Sequence, residues 1–329
     1  MEARPFWCYP ISCSSARGCP EIDWPFVLPL KHTKIQTADP ADAGLALGRK
    51  VTMSTNAKGS ESQNPKGNHP IVSQNEWIAA RKELLKREKE STRLLDQLSE
   101  ERRHLPWVKI EKNYVFDTPD GKRSLSDLFA GRHQLAVYHF MFGPDWQEGC
   151  PSCSFVSDHF DGALPHLAAR DVTLVAVSRA PLAKLESFKK RMGWHFDWVS
   201  TFDTDFNGDF HVSFSPEELA QGQVDYNYTL QEFPSAEAPG LSIFFKDASG
   251  DIFHTYSTYG RGLELLMSTY RILDVVPKGR DEGGLGFPME WVRYRDAYGT
   301  NKFADAEKPY WPETPSSSTC GCGSAEVKA

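Results

Sequence analysis

Cysteine is scarce, with seven in 329 residues, far too few to staple a secreted disulfide scaffold. A basic excess is absent as well. Lys and Arg number 37 against 44 Asp and Glu, a formal net charge of −7, so no overall basic field draws nucleic acid or an anionic membrane surface. No apolar run approaches the roughly 20 residues of a membrane span, and no internal repeat is visible. The glycine signatures of dinucleotide folds and phosphate loops are missing, so no organic cofactor is implied. The expectation is a cytoplasmic chain with neither nucleic acid nor membrane as partner. What the chain does have is globular composition: 40% hydrophobic and 25% charged residues, with nine Trp, 20 Phe and 11 Tyr. That suffices for one large domain or two small ones with a real core.

Residues 1–72 read as a disordered or non-native extension. Ser54 to Asn68 is nearly devoid of apolar residues, a composition that cannot offset the entropy of ordering. The only apolar run before it, Trp24 to Leu30, is interrupted by Pro25 and Pro29 and is too short for a secretory core. Met53 is expected to be the native start, with residues 1–52 read through from upstream. A targeting peptide is the rival reading.

Order is expected from Ser73. Ser73 and Glu76 fit a capping box, and an N-terminal helix spans the segment 73–104, stopped by Pro106. Trp77, Leu84, Leu95 and Leu98 form a narrow apolar stripe among many charges. This predicts a solvated helix laid against the domain by one face, the alternative being a dimerising helix and hence a homodimer.

From residue 105 the period changes. Strands are expected at Tyr114–Phe116, Leu135–Phe142, Val172–Val177 and Trp198–Thr201, and a hairpin at Leu241–Phe245 and Ile252–Tyr256. Helices are expected over a capped turn at 124–129, at 154–169, at Pro181–Met192 and at Leu263–Leu273. Strands alternating with helices predict an α/β domain over 105–276, its central sheet flanked by helices and joined by right-handed crossovers. Residues 202–238 form an insert whose structure the pattern does not define. Residues 277–312 are expected to pack on the outside of the domain, and 313–329 to be a flexible tail.

Cys8, Cys13 and Cys19 lie near the start of the chain, and the remaining cysteines carry the chemistry. Gly149-Cys150-Pro151-Ser152-Cys153 follows a buried strand and opens a helix. A helix N-terminus presents free N–H groups and the positive end of the dipole, which favour a thiolate. Two intervening residues put the second sulfur one turn away. Cys150 would attack a substrate disulfide, and Cys153 would resolve the mixed disulfide. Pro151 suits the first helical turn because it has no N–H to leave unpaired. Half of a zinc site and two buried apolar thiols are the other readings of this spacing. Asp158, His159 and Asp161 follow on the same helix. Asp158 and Asp161 are close enough in helical spacing to share a metal, but Asp161-Gly162 is expected to let the helix bend or end locally, His159 shows no HxH or HExxH spacing, and no metal is expected. In the tail, Cys320 and Cys322 allow three readings: a second dithiol, zinc ligands completing a four-sulfur site, or inert residues.

From Phe116 to about Val276 the chain resembles a thioredoxin-like domain of the peroxiredoxin-related kind. The resemblance rests on the segments Asp120–Leu128, Gly149–Cys153, Val172–Ser178 and Asp247–Gly250. More narrowly, Gly149–Gly162, Arg179–Leu182 and Tyr259–Gly262 are similar to a thioredoxin-like domain-of-unknown-function family that is predicted to comprise dithiol–disulfide oxidoreductases. The resemblance implies a protein or small-molecule disulfide or thiol as substrate and an unidentified reductant. It also implies a cis bond before Pro239, which would make Pro239 the substrate platform opposite the dithiol. His139 stands where thioredoxins carry a buried acid, either as a proton shuttle or as a satisfied core histidine. Trp146 would shield the dithiol. Where peroxiredoxins place Thr or Ser three residues before the reactive Cys, this chain has Gln147, which argues against efficient peroxide chemistry. Thiol–disulfide exchange is the leading reading. A thiol peroxidase, or a non-catalytic binding domain whose cysteines are structural or hold zinc, are the alternatives.

Overall fold

Three parallel strands form the heart of the computed structural model, which describes residues 69–298. Gln134–His139 (β4) pairs with Val172–Ser178 (β5), and β5 with Asp197–Ser200 (β6), all in parallel. β4 is buried at every position but the first, and β5 is nearly so, as a sheet covered on both faces requires. The antiparallel hairpin of β9 (Gly240–Lys246) and β10 (Ile252–Tyr259) joins the other edge of β4. β1 (Val108–Lys109) caps that side. The hairpin of β2 (Val115–Thr118) and β3 (Gly121–Ser124) caps the β6 side. The resulting eight-stranded order is β1-β10-β9-β4-β5-β6-β2-β3. Gly121, at φ 106°, permits the tight β2–β3 turn.

The helices follow the sequence signals closely. Gln74–Arg103 (α1) begins at a Ser73–Glu76 capping box. Leu125–Leu128 (α2) begins at a second one, formed by Ser124 and Asp127. Pro151–Ser157 (α3) and Leu164–Ala168 (α4), with a single 3₁₀ turn at Asp161–Ala163 between them, connect β4 to β5. Leu182–Met192 (α5) connects β5 to β6 and ends at Gly193 in the left-handed region. This β-α-β-α-β unit extended by an antiparallel hairpin and a closing helix is the thioredoxin-like arrangement. The fold is α/β, with helices on the sheet and α1 as an N-terminal helical extension.

The sheet divides the core into two aromatic layers. One face buries Tyr138, Phe140, Phe142, Cys153, Phe188, Trp194 and Trp198. The other buries Phe116, Val137, Val177, Phe206, Phe210 and Phe244. At about 1.5–3 kcal/mol for each fully buried large side chain, these layers dominate the stability of the domain. The insert supplies much of the second layer. It contains Phe206–Asp209 (α6), Pro216–Ala220 (α7) and a small hairpin of β7 (Val224–Tyr226) and β8 (Thr229–Gln231).

The helices refine three expectations. α1 buries no residue, and Trp77, Leu84 and Leu95 are each more than half exposed; only its C-terminal part meets the domain, where Leu98 is half-buried and Arg102 lies over the Tyr256 ring. The helical segment expected over 154–169 breaks at Asp161-Gly162, where a local bend or end is expected; there the Asp161 carboxylate accepts the backbone N–H groups of His195 and Phe196. The closing helix is likewise split into a 3₁₀ segment, Gly260–Leu266, and Ser268–Leu273 (α8). Cys8, Cys13, Cys19, Met53, Cys320 and Cys322 lie outside the described residues.

Candidate functional site

Cys150 is the N-cap of α3, and Pro151 occupies the first turn. Two backbone constraints put it there. Its own N–H donates to the Met141 carbonyl at 3.0 Å, and the Ser154 amide returns to its carbonyl at 2.9 Å. Gly149 comes so close to Phe140 that a Cβ there would sit 2.6 Å from the ring, so only glycine lets the chain pass between the aromatic layer and the helix start.

The two thiols, both free, have opposite environments. Cys150 is half-buried. Its thiol pKa is lowered to about 7, first by the Cys153 thiol, which donates to its sulfur, and then by the backbone N–H groups of Cys153 and Ser152; burial opposes the shift. Cys153 is 2% exposed. Burial, reinforced by the charge on Cys150, pushes its thiol well above the ordinary range. The Met141 N–H donates to the Cys153 sulfur at 3.5 Å. The arrangement favours a thiolate at Cys150 with a protonated thiol beside it, the state required for nucleophilic attack followed by resolution.

Tyr138, rather than its neighbour His139, faces this pair. Successive strand residues point to opposite faces. Tyr138 therefore lies in the layer with Cys153, while His139 stacks on Phe206 and Phe210 behind the sheet, at 5.6 and 5.7 Å between ring centres. His139 is thus a core histidine, bonded through Nε2 to the Ser242 hydroxyl at 2.9 Å, and the sheet separates it from the dithiol. Burial, and then the nearby His254, lower its pKa to about 3. The Tyr138 hydroxyl is fully buried and meets no partner at good hydrogen-bond geometry. It is nonetheless close enough to Cys153 that each group raises or lowers the other's proton affinity.

Pro239 also departs from expectation. No described peptide bond is cis; the Ala238–Pro239 bond is trans, and the Pro239 carbonyl accepts the Tyr226 hydroxyl at 2.8 Å. Pro239 still faces the dithiol across a cleft of about 800 Å³, whose walls include Ser152, Cys153, Val156 and Tyr138. The cleft meets Cys153, while Cys150 sits at the helix start beside it. Trp146 lies across Gly143 and lines a neighbouring cleft with Arg179 and Glu237. Lys184 holds the Trp146 loop by donating to the Pro144 and Trp146 carbonyls at 2.7 and 3.0 Å.

The segment after α8 completes the surroundings. Trp291, Val292 and Tyr294 pack on the Cys153 layer, and the Tyr294 hydroxyl donates to the Gly149 carbonyl at 2.6 Å. No periodicity marks these residues, so sequence reading could not assign them. Asp158, His159 and Asp161 are spoken for by Trp194, Thr269 and the His195–Phe196 backbone. Among the described residues no group of three His, Cys, Asp or Glu could hold a metal, and no helix is long and apolar enough to cross a membrane.

Solved structures similar to the chain include Xylella fastidiosa PrxQ, at 15% identity and TM-score 0.34, with 51% of this chain and 97% of that one covered. Peroxidoxin BcpB from Mycobacterium tuberculosis is 13% identical at TM-score 0.31, with 51% and 97% covered. The mitochondrial 2-Cys peroxiredoxin from Plasmodium falciparum is 14% identical at TM-score 0.28, with 55% and 96% covered. No curated protein matches the chain. Residues 66–298 match the family described as "Bacterial protein of unknown function (DUF899)", and the chain belongs to that family.

Proposed function

We propose that the protein is a thiol–disulfide oxidoreductase in which Cys150 is the nucleophile and Cys153 the resolving thiol. The observation that carries this reading is the asymmetry of the pair. One sulfur is half-buried at a helix start with its pKa lowered to about 7; the other is buried with its proton held. A nucleophile near ambient pH combines adequate thiolate with undiminished reactivity. In the first step the Cys150 thiolate attacks one sulfur of a disulfide RSSR, forming Cys150–S–S–R and expelling RS⁻. In the second, Cys153 gives up its proton and displaces the remaining RS⁻ from the Cys150 sulfur. The protein dithiol loses two electrons, the substrate gains two, and the two protein thiol protons end on two RSH.

Oxidation of the reduced protein by bis(2-hydroxyethyl) disulfide tests this. The expected product is the Cys150–Cys153 disulfide. Cys153→Ser should stop at a mixed disulfide on Cys150, and Cys150→Ser should not react. Hydrogen peroxide run alongside at equal concentration should oxidise the dithiol far more slowly; comparable rates would favour the peroxidase reading. Thiols inert to both reagents would favour a non-catalytic role.

A further inference from the structure

The cleft beside Cys153 is out of proportion to the resolving thiol it meets. Its volume of about 800 Å³ falls within the range of sites that enclose small molecules. Its inner wall is apolar and soft, with Met141, Met267 and Met289 arrayed around Val156 and Leu263. Methionine side chains reshape readily around irregular apolar groups. The lining also carries Arg261, Arg271 and Arg280 against Glu264, Asp274 and Glu282, three charges of each sign that largely balance one another. Arg280 bridges Glu264 and Asp274 at 2.9 and 2.6 Å, and Arg261 also binds Glu264 at 2.9 Å. Glu282 accepts the Tyr270 hydroxyl and the Trp291 indole N–H. The lining therefore offers little net field to a charged ligand. Deep in the wall the Tyr138 hydroxyl is fully buried beside the Cys153 sulfur, without a well-formed hydrogen bond of its own.

We propose that this cleft seats the substrate of the dithiol, and that the substrate is a neutral small-molecule disulfide carrying an apolar arm. The inference rests on the thiol–disulfide reading above. Cys150 precedes Ser152 and Cys153 on the first turn of α3, so the arm left on Cys150 in the mixed disulfide passes over Ser152 into the methionine-lined space. The Tyr138 hydroxyl lies where it can donate to a sulfur or oxygen held next to Cys153.

A homologous series of symmetric disulfides tests the proposal in the full-length protein. Diethyl, dipropyl and dibutyl disulfide share the same intrinsic S–S chemistry and differ only in methylene content. The rate constant for oxidation of the reduced protein, read from intrinsic tryptophan fluorescence, should rise about two- to fourfold with each methylene added to the seated arm. Bis(2-hydroxyethyl) disulfide and cystine should react no faster than the diethyl compound. Met289→Asn places a polar group in the wall at a backbone position, φ 72°, that Asn tolerates. It should flatten the series, so that diethyl, dipropyl and dibutyl disulfide oxidise the variant at similar rates; a series as steep as that of the parent would contradict the assignment. A flat wild-type series in which every disulfide oxidises the dithiol would overturn the cleft assignment and leave the oxidoreductase reading standing. Failure of all the disulfides to oxidise the dithiol would overturn both.

Discussion

The Tyr294 hydroxyl donates to the Gly149 carbonyl at 2.6 Å, tying the segment after α8 to the residue that immediately precedes Cys150. A part of the chain distant in sequence thus fixes the start of the helix that carries the dithiol. Tyr294→Phe keeps the ring packed on Phe188 and removes the hydroxyl that makes this bond. The expected cost is about 1 kcal/mol, a fall in Tm of about 2–4 °C by scanning calorimetry. An unchanged Tm would show that the tether contributes nothing to the fold.

Gly149→Ala should be more damaging than its size suggests. The added Cβ would lie 2.6 and 2.9 Å from Phe140 ring atoms and 3.2 Å from Phe188, both buried in the same aromatic layer. Overpacking of this kind costs typically about 1–3 kcal/mol. The displaced helix start should also slow alkylation of Cys150. Urea unfolding and the alkylation rate measure the two effects in one sample.

His139 predicts an acid-sensitive fold. Its imidazole stays neutral in the folded chain down to about pH 3, whereas an unfolded histidine binds its proton near 6.5. Its contribution is fully present above the unfolded value and is lost as pH falls below it, at about 1.4 kcal/mol per pH unit for one proton. His139→Gln should be less stable than the parent at pH 7.5, and its unfolding free energy should fall less steeply between pH 6.5 and 4, by about one proton's slope. Identical slopes would contradict this assignment.

Asp158 has the opposite sign. Burial raises its carboxyl pKa to about 6, against the pull of the Trp194 indole N–H and Arg295. The folded chain therefore holds this proton where the unfolded chain has released it, and stability falls as pH rises from about 4 through 6. Asp158→Asn keeps an acceptor for Trp194 and removes the charge. It should stabilise the protein at pH 8, by an amount on the order of 1 kcal/mol, and progressively less toward pH 5.

Much of this was legible in the sequence wherever local chemistry decides structure. Ser73 with Glu76 and Ser124 with Asp127 mark helix starts. The unbroken apolar runs mark β4 and β5, and the Cys150–Cys153 junction follows from its position between strand and helix. Contacts between distant segments were hidden. The edge strand Val108–Lys109 is defined only by its partner β10. The insert is held by aromatic packing behind the sheet, and Tyr294 by a single carbonyl. His139 drew attention by residue type, whereas strand alternation, once the register is known, selects Tyr138 for the dithiol face. The bond before Pro239 is trans, which no local pattern in this chain foretold.

The pH dependence of thiol alkylation most directly tests the central claim. Reduced protein is treated with iodoacetamide from pH 5 to 10, and the modified residues are located by peptide mass spectrometry. Cys150 should react with a midpoint near pH 7 while Cys153 stays unmodified in the folded chain. In Cys153→Ala, which removes the thiol that donates to the Cys150 sulfur, the midpoint should move upward. Preferential modification of Cys153, or a Cys150 midpoint at the 8.5 of an ordinary thiol, would contradict the account.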